Sequence, residues 1–118
     1  MDTNTNYNLE ERTAKFGEDA ISFCKSINQD AITRPLINQL VRSATSVGAN
    51  YMEANGAASK KDFKNKIFIC KKEAQETKHW LRMISKSNPE KAEEARKLWQ
   101  ECQELTLIFG KIISTMKK

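Results

Sequence analysis

The sequence predicts an all-α fold, a single antiparallel four-helix bundle, on three observations. Apolar residues recur at alternating four- and three-residue intervals in four separate segments. Polar stretches carrying turn residues divide the segments, at Asn28-Gln29-Asp30, Asn55-Gly56 and Ser87-Asn88-Pro89. No stretch alternates apolar and polar residues in the two-residue rhythm of a strand. A period near seven argues for shallow helix packing, and short turns argue for antiparallel neighbours.

The elements follow in order, at about residues 8–28, 34–55, 59–86 and 89–116, with residues 1–7 expected to fray. Asn8 with Glu11 makes a capping-box pattern at the first start. Phe16, Ala20, Phe23 and Ile27 then form a stripe that Ile21 and Cys24 widen. Thr33 and Pro35 suit the entry to the second helix, since proline is tolerated where amide donors lack helical partners. Ile37, Leu40, Ala44 and Tyr51 share its core side, flanked by Val41 and Gly48, and Gly56 is expected to end it in a left-handed cap. Ser59 with Asp62 caps the third helix, whose stripe is Phe63, Ile67, Cys70, Ala74, Thr77, Leu81 and Ile84. Asn88 and Pro89 start the fourth, with Ala92, Ala95, Trp99, Cys102, Thr106, Phe109, Ile113 and Met116 inward.

The totals exclude several classes. A chain of 118 residues can bury a core without disulfides or metals. Its apolar runs fall far short of the ~20 residues of a membrane span, and no basic start or apolar core of a leader is visible, so cytoplasm is the expectation. Cys24, Cys70 and Cys102 are odd in number and far apart, and they read as buried reduced thiols. No pair of cysteines has zinc-ligand spacing, and His79 is the only histidine. Glu76 and His79 match one Glu-x-x-His motif, but di-iron bundles need two such motifs and further carboxylates. The glycines form no phosphate loop. The expectation is a protein without enzymatic activity, cofactor or metal.

Two surfaces stand out from the core pattern. On the second helix, Gln39, Arg42, Ser43, Ser46, Asn50 and Glu53 share one face, with Gly48, Ala49 and Ala54 beside them. Short side chains let something approach closely, either another subunit or a ligand. Between Ser59 and Lys86 lie nine basic and three acidic residues, a net +6 against +5 for the whole chain. Lys61, Lys64, Lys71, Lys72, Lys78 and Arg82, with Phe68 among them, fall on one flank and the rear of the third helix. Cations interleaved with an aromatic suit phosphate contact with base stacking. The plainer reading, favoured on composition alone, is a solvated lysine face balanced in part by Glu90, Glu93, Glu94, Glu101 and Glu104. Ile69, Trp80 and Met83 make a second apolar strip there, as Leu98, Leu105 and Ile112 do on the fourth helix. Such strips predict self-association, with a broad internal core as the competing explanation.

The stretch Gln39–Ala54, Lys61-Asp62-Phe63, Lys72-Glu73-Ala74 with Glu76, Trp80-Leu81, and Glu101–Leu105 resemble the bacterial four-helix-bundle family named for 23S ribosomal RNA intervening sequences. The resemblance runs from about Thr13 to Lys117, with mild departures at Tyr51-Met52 and Ala54. It implies a homopentameric ring and a suspected role in binding RNA or DNA. A distant branch of the family serves retroelement reverse transcriptases as an accessory subunit. The resemblance also places family motif positions at Arg42, Ser43, Ser46, Asn50 and Glu53, and on that face two readings stand: Arg42 reaching Glu53 of a neighbouring copy, or Arg42, Ser46 and Asn50 lining a ligand or nucleic-acid surface. The expected function is therefore a cytoplasmic homo-oligomer binding RNA through the third helix, with no membrane association. A protein scaffold without nucleic acid is the alternative, and a metal-dependent enzyme is the remotest.

Overall fold

Each amphipathic stretch becomes a helix in the computed structural model, which describes residues 8–116. The expectation for residues 1–7 lies outside the described residues. Helix α1 is Leu9–Lys25, α2 Thr33–Asn55, α3 Lys60–Ser87 and α4 Ala92–Met116, with a 3-10 turn at Pro89–Lys91 before α4. No strand occurs among the described residues. The molecule measures 46 × 23 × 20 Å, and its long axis is close to the ~42 Å expected of α3 at 1.5 Å per residue.

Pairs of residues that meet between helices fix the directions. Ser43 meets Thr77, Val47 meets Cys70 and Glu53 meets Lys66, so α3 descends as α2 rises. Lys78 reaches Gln103, and Lys71 lies beside Gly110, so α4 runs against α3. Gly48 lies on Thr13 and Gly17 on Thr45, so α1 runs against α2. Neighbours are thus antiparallel around the bundle. The α1–α4 edge is much the loosest of the four.

The core holds Phe16, Leu40, Ile67, Leu81, Ile84, Leu105 and Phe109, each almost wholly buried. Truncating a buried phenylalanine such as Phe109 to alanine would cost about 3–5 kcal/mol. The three cysteines are free and buried among these side chains. Burial pushes their thiols up, to about 11 for Cys24 and about 12 for Cys70, and higher still for Cys102.

The core stripes differ from expectation in four places. Ile21 faces solvent, Val47 is fully buried, and Trp99 is 40% exposed. Leu105 is buried, and Leu98 and Ile112 pack against the core, so the second strip of α4 is interior. The broad-core explanation holds there.

The helix ends also differ. Asn8 precedes α1 with φ 41°, but its side chain makes no cap hydrogen bond. Helix α1 stops at Lys25 rather than 28, because Ser26 and Ile27 close the last turn onto Phe23 and Cys24, three residues back. Capping of α2 is done by Asp30. Its carboxylate accepts from the amides of Ile32 and Thr33, while Thr33 Oγ1 accepts from the Asp30 amide. Those two amides, Thr33 first, hold the Asp30 carboxyl below its ordinary range. Gly56 is not left-handed, with φ −95° and ψ 9°, and its amide simply reaches the Glu53 carbonyl. Ser59 caps α3 as expected, accepting from the Asp62 amide at 3.0 Å. Asn88 makes no side-chain cap bond, and its buried Oδ1 lacks a partner.

Candidate functional site

Helix α3 has two flanks of opposite character. Toward α2, charges are matched within the chain. Arg42 donates from Nε to Gln39 at 3.1 Å, from one terminal nitrogen to Glu73 at 3.2 Å, and from the other to Glu76. Trp80 donates its indole N–H to the same Glu76 oxygen at 3.1 Å. The Trp80 indole, and then the Arg42 guanidinium, hold the Glu76 carboxyl below the ordinary range. Glu53 is paired to Lys66 at 2.6 Å.

Of the short polar residues of α2, Ser43 serves this contact. Ser43 is fully buried and shares a 2.8 Å hydrogen bond with Thr77, which also donates to the Glu73 carbonyl. Ser46 Oγ and Asn50 Nδ2 bond back to carbonyls of α2 itself. What comes close at Gly48 is α1, since a Cβ there would stand 3.3 Å from the Thr13 carbonyl. Arg42 and Glu53 therefore both have intramolecular partners, and Ser43 belongs to the interior rather than to a surface face. Ile69 and Met83 remain half-buried, and Trp80 packs against the core.

Toward α4, the flank carries cations without counter-charges. Lys64, Lys71 and Lys78 recur at seven-residue spacing, about 10.5 Å apart, and Arg82 extends the row. The facing flank of α4 supplies Arg96, Trp99, Gln103 and Gly110. Lys78 donates to Gln103 at 2.6 Å and lies 5.1 Å from the Trp99 ring centroid. Among the described residues, no carboxylate pairs with Lys64, Lys71, Lys72, Lys78, Arg82 or Arg96. Lys61, Lys72, His79 and the 50% exposed Phe68 lie on the adjoining rear of α3.

The acidic residues of α4 point elsewhere. Glu101 and Glu104 hold Arg12 of α1 at 2.7 and 2.5 Å. Glu94 lines the α1–α4 cleft and pairs with Lys91. The balance expected between α4 carboxylates and α3 lysines is thus not made by contact. Cavities of about 440 and 410 Å³ lie at the two ends of the α3–α4 groove. The first is lined by Lys60, Lys61, Lys64, Thr115 and Met116, and the second by Arg82, Arg96 and Trp99 with smaller residues.

Sequence reasoning missed the α4 side of this groove and the Arg12 clamp. A signal for the groove was available, because positions 96, 99, 103 and 110 share one helical flank without a single acid.

The family model described as 23S rRNA-intervening sequence protein matches residues 6–111. The chain is also similar to a solved structure from Bacteroides thetaiotaomicron, a protein of unknown function from the S23 ribosomal protein family. The identity is 28%, with 88% of this chain and 96% of that chain covered and a TM-score of 0.76. Comparison with curated proteins gave no match.

Proposed function

The chain belongs to the 23S rRNA-intervening sequence protein family, and from that premise we propose a non-enzymatic, self-associating protein that binds RNA through the α3–α4 groove. The observation that carries the reading is the segregation of charge. Every pairing carboxylate near α3 faces α2, and every pairing carboxylate of α4 faces α1 or its own first turn. Cations left without counter-ions in a folded groove attract a polyanion, whose phosphates release bound salt as they are neutralised. Lys61 and Lys72, with Phe68 between them, extend the same field over the rear of α3.

Self-association is the second part of the reading. The half-buried Ile69 and Met83 beside Trp80 leave apolar surface next to the paired Arg42–Glu73–Glu76 cluster. Gln39, Ser46, Asn50 and Glu53 border that surface. A ring of five copies, as the family resemblance implies, would use it as the subunit contact. Glu76 of the lone Glu-x-x-His match is engaged by Arg42 and Trp80, which favours a structural role for it over metal ligation.

The test is RNA binding by the purified protein across a salt series, with the particle mass measured by light scattering. A multimer whose affinity falls steeply with salt supports both parts. A multimer that binds no RNA at moderate salt overturns the RNA part and favours a protein scaffold. A monomer overturns the ring.

A further inference from the structure

The end of the α3–α4 groove nearest the α3–α4 turn has the chemistry of a nucleotide pocket rather than of a general basic surface. Its floor is apolar and small. Leu81 is buried there, and Ala92 and Ala95 leave unfilled the space that larger residues would occupy beside Ser85. The 3-10 turn at Pro89–Lys91 carries the chain from α3 into α4 near this end. The resulting cavity of about 410 Å³ is within the roughly 300–1,000 Å³ of small-molecule sites.

Its walls supply two guanidinium groups and an indole. Arg82 comes from α3 and Arg96 from α4, and neither has a carboxylate partner among the described residues. Guanidinium groups match phosphate oxygens with paired donors. Trp99 lies on the seven-residue stripe of α4 yet is 40% exposed, and it forms part of the cavity wall. Lys78 sits over its ring, so the indole is held in place while still presenting area to the cavity. Gln100 adds an amide able to donate to and accept from a base edge.

We propose that this cavity takes one unpaired nucleotide, its base against Trp99 and its phosphate between Arg82 and Arg96. The inference rests on the RNA reading above and narrows it, because a base inside a duplex already has both faces stacked on its neighbours. The groove lysines would then hold the strand, and the cavity would select single-stranded over duplex RNA. A free nucleotide shares the same chemistry, so the experiment separates the two sources.

The experiment titrates the intact protein with a short oligoadenylate, an RNA duplex of equal charge, and AMP, reading tryptophan fluorescence and affinity. The variants are Trp99→Leu, which keeps apolar volume but removes the stacking face, and Arg96→Gln, with folding checked by circular dichroism. The expected result is fluorescence quenching by oligoadenylate that Trp99→Leu abolishes. Both variants should lose about tenfold affinity for it, and Trp99→Leu should lower duplex affinity far less than strand affinity. If AMP alone quenches Trp99 with the affinity of the strand, the pocket stands as a free-nucleotide site and the RNA reading falls. If strand and duplex bind equally, with no quenching and no effect of either variant, the pocket falls and the RNA reading stands. If nothing binds, both fall.

Discussion

The two flanks of α3 use the same residue types to opposite ends. On the α2 side, Arg42 and Lys66 are paired within the chain with three carboxylates, Glu53, Glu73 and Glu76. On the α4 side, Lys64, Lys71, Lys78, Arg82 and Arg96 meet uncharged residues such as Gln103, Trp99 and Met116, with no carboxylate partner among the described residues. Paired charge fixes how two helices sit together. Unpaired charge costs the monomer some self-repulsion and is useful only toward something outside it. One helix thus carries a structural flank and a receptive flank, and substitutions on the two should separate cleanly.

The largest separation is expected from replacing Lys64, Lys71 and Lys78 together by glutamine. RNA affinity should fall roughly 100-fold at low salt, and the slope of log affinity against log salt should flatten by about 2, at ~0.7 per lost contact. The unfolding midpoint should not fall, which a urea titration checks. An unchanged salt slope would erase the distinction between the flanks.

Thr77→Val tests the structural flank. It keeps the volume but removes one of two partners of the buried Ser43 hydroxyl, which keeps the Leu40 carbonyl at 3.3 Å, at a cost of about 1 kcal/mol in urea unfolding. RNA affinity should be unaffected.

Arg42→Glu places a third carboxylate beside Glu73 and Glu76. The guanidinium is 45% exposed, so water screens the contact and the loss of monomer stability should stay near 1 kcal/mol or less. Its sharper readout is mass. A proposed subunit contact bordering this cluster should dissociate, whereas RNA binding per chain should change less than twofold.

The smallest effect concerns acid. The Glu76 carboxyl titrates lower in the folded chain than its ordinary 4.5. Its contribution to stability is therefore complete above that value and is lost as pH falls through the folded-state value. Glu76→Gln should weaken the protein at neutral pH and flatten the stability profile below pH 4.5, measured by thermal unfolding between pH 3 and 7 (roughly the window of carboxylate titration).

The four helices were legible because a 3.6-residue repeat is a property of each segment alone. Which of two adjacent stripes faces inward is not. On α4, Trp99 and Leu105 compete for the interior, and the outcome depends on where α1 and α3 stand. Ser43 looked like surface because its partner Thr77 is distant in sequence and the hydrogen bond that allows its burial forms only across α2 and α3. Asp30 reads as a break because the polar run hides an Asp-x-x-Thr box that begins four residues before the expected helix start. Gly56 was overread, since a helix can also close with amides reaching three residues back. The basic flank of α3 was visible at once. Its other wall, Arg96 with Trp99 and Gln103, became a wall only when α4 folded back against α3.

The loose α1–α4 edge bears on how the bundle comes apart. Helix α3 is gripped from both sides along its length, whereas α1 lies chiefly on α2 and meets α4 more sparsely, Arg12 with Glu101 and Glu104 included. Local opening should therefore peel α1 away first, leaving α2, α3 and α4 as the more persistent unit. In native-state deuterium exchange, the α1 amides would lose protection in a sub-global event, well before those of α3. The receptive groove, on the far side of α3, would stay assembled through that opening.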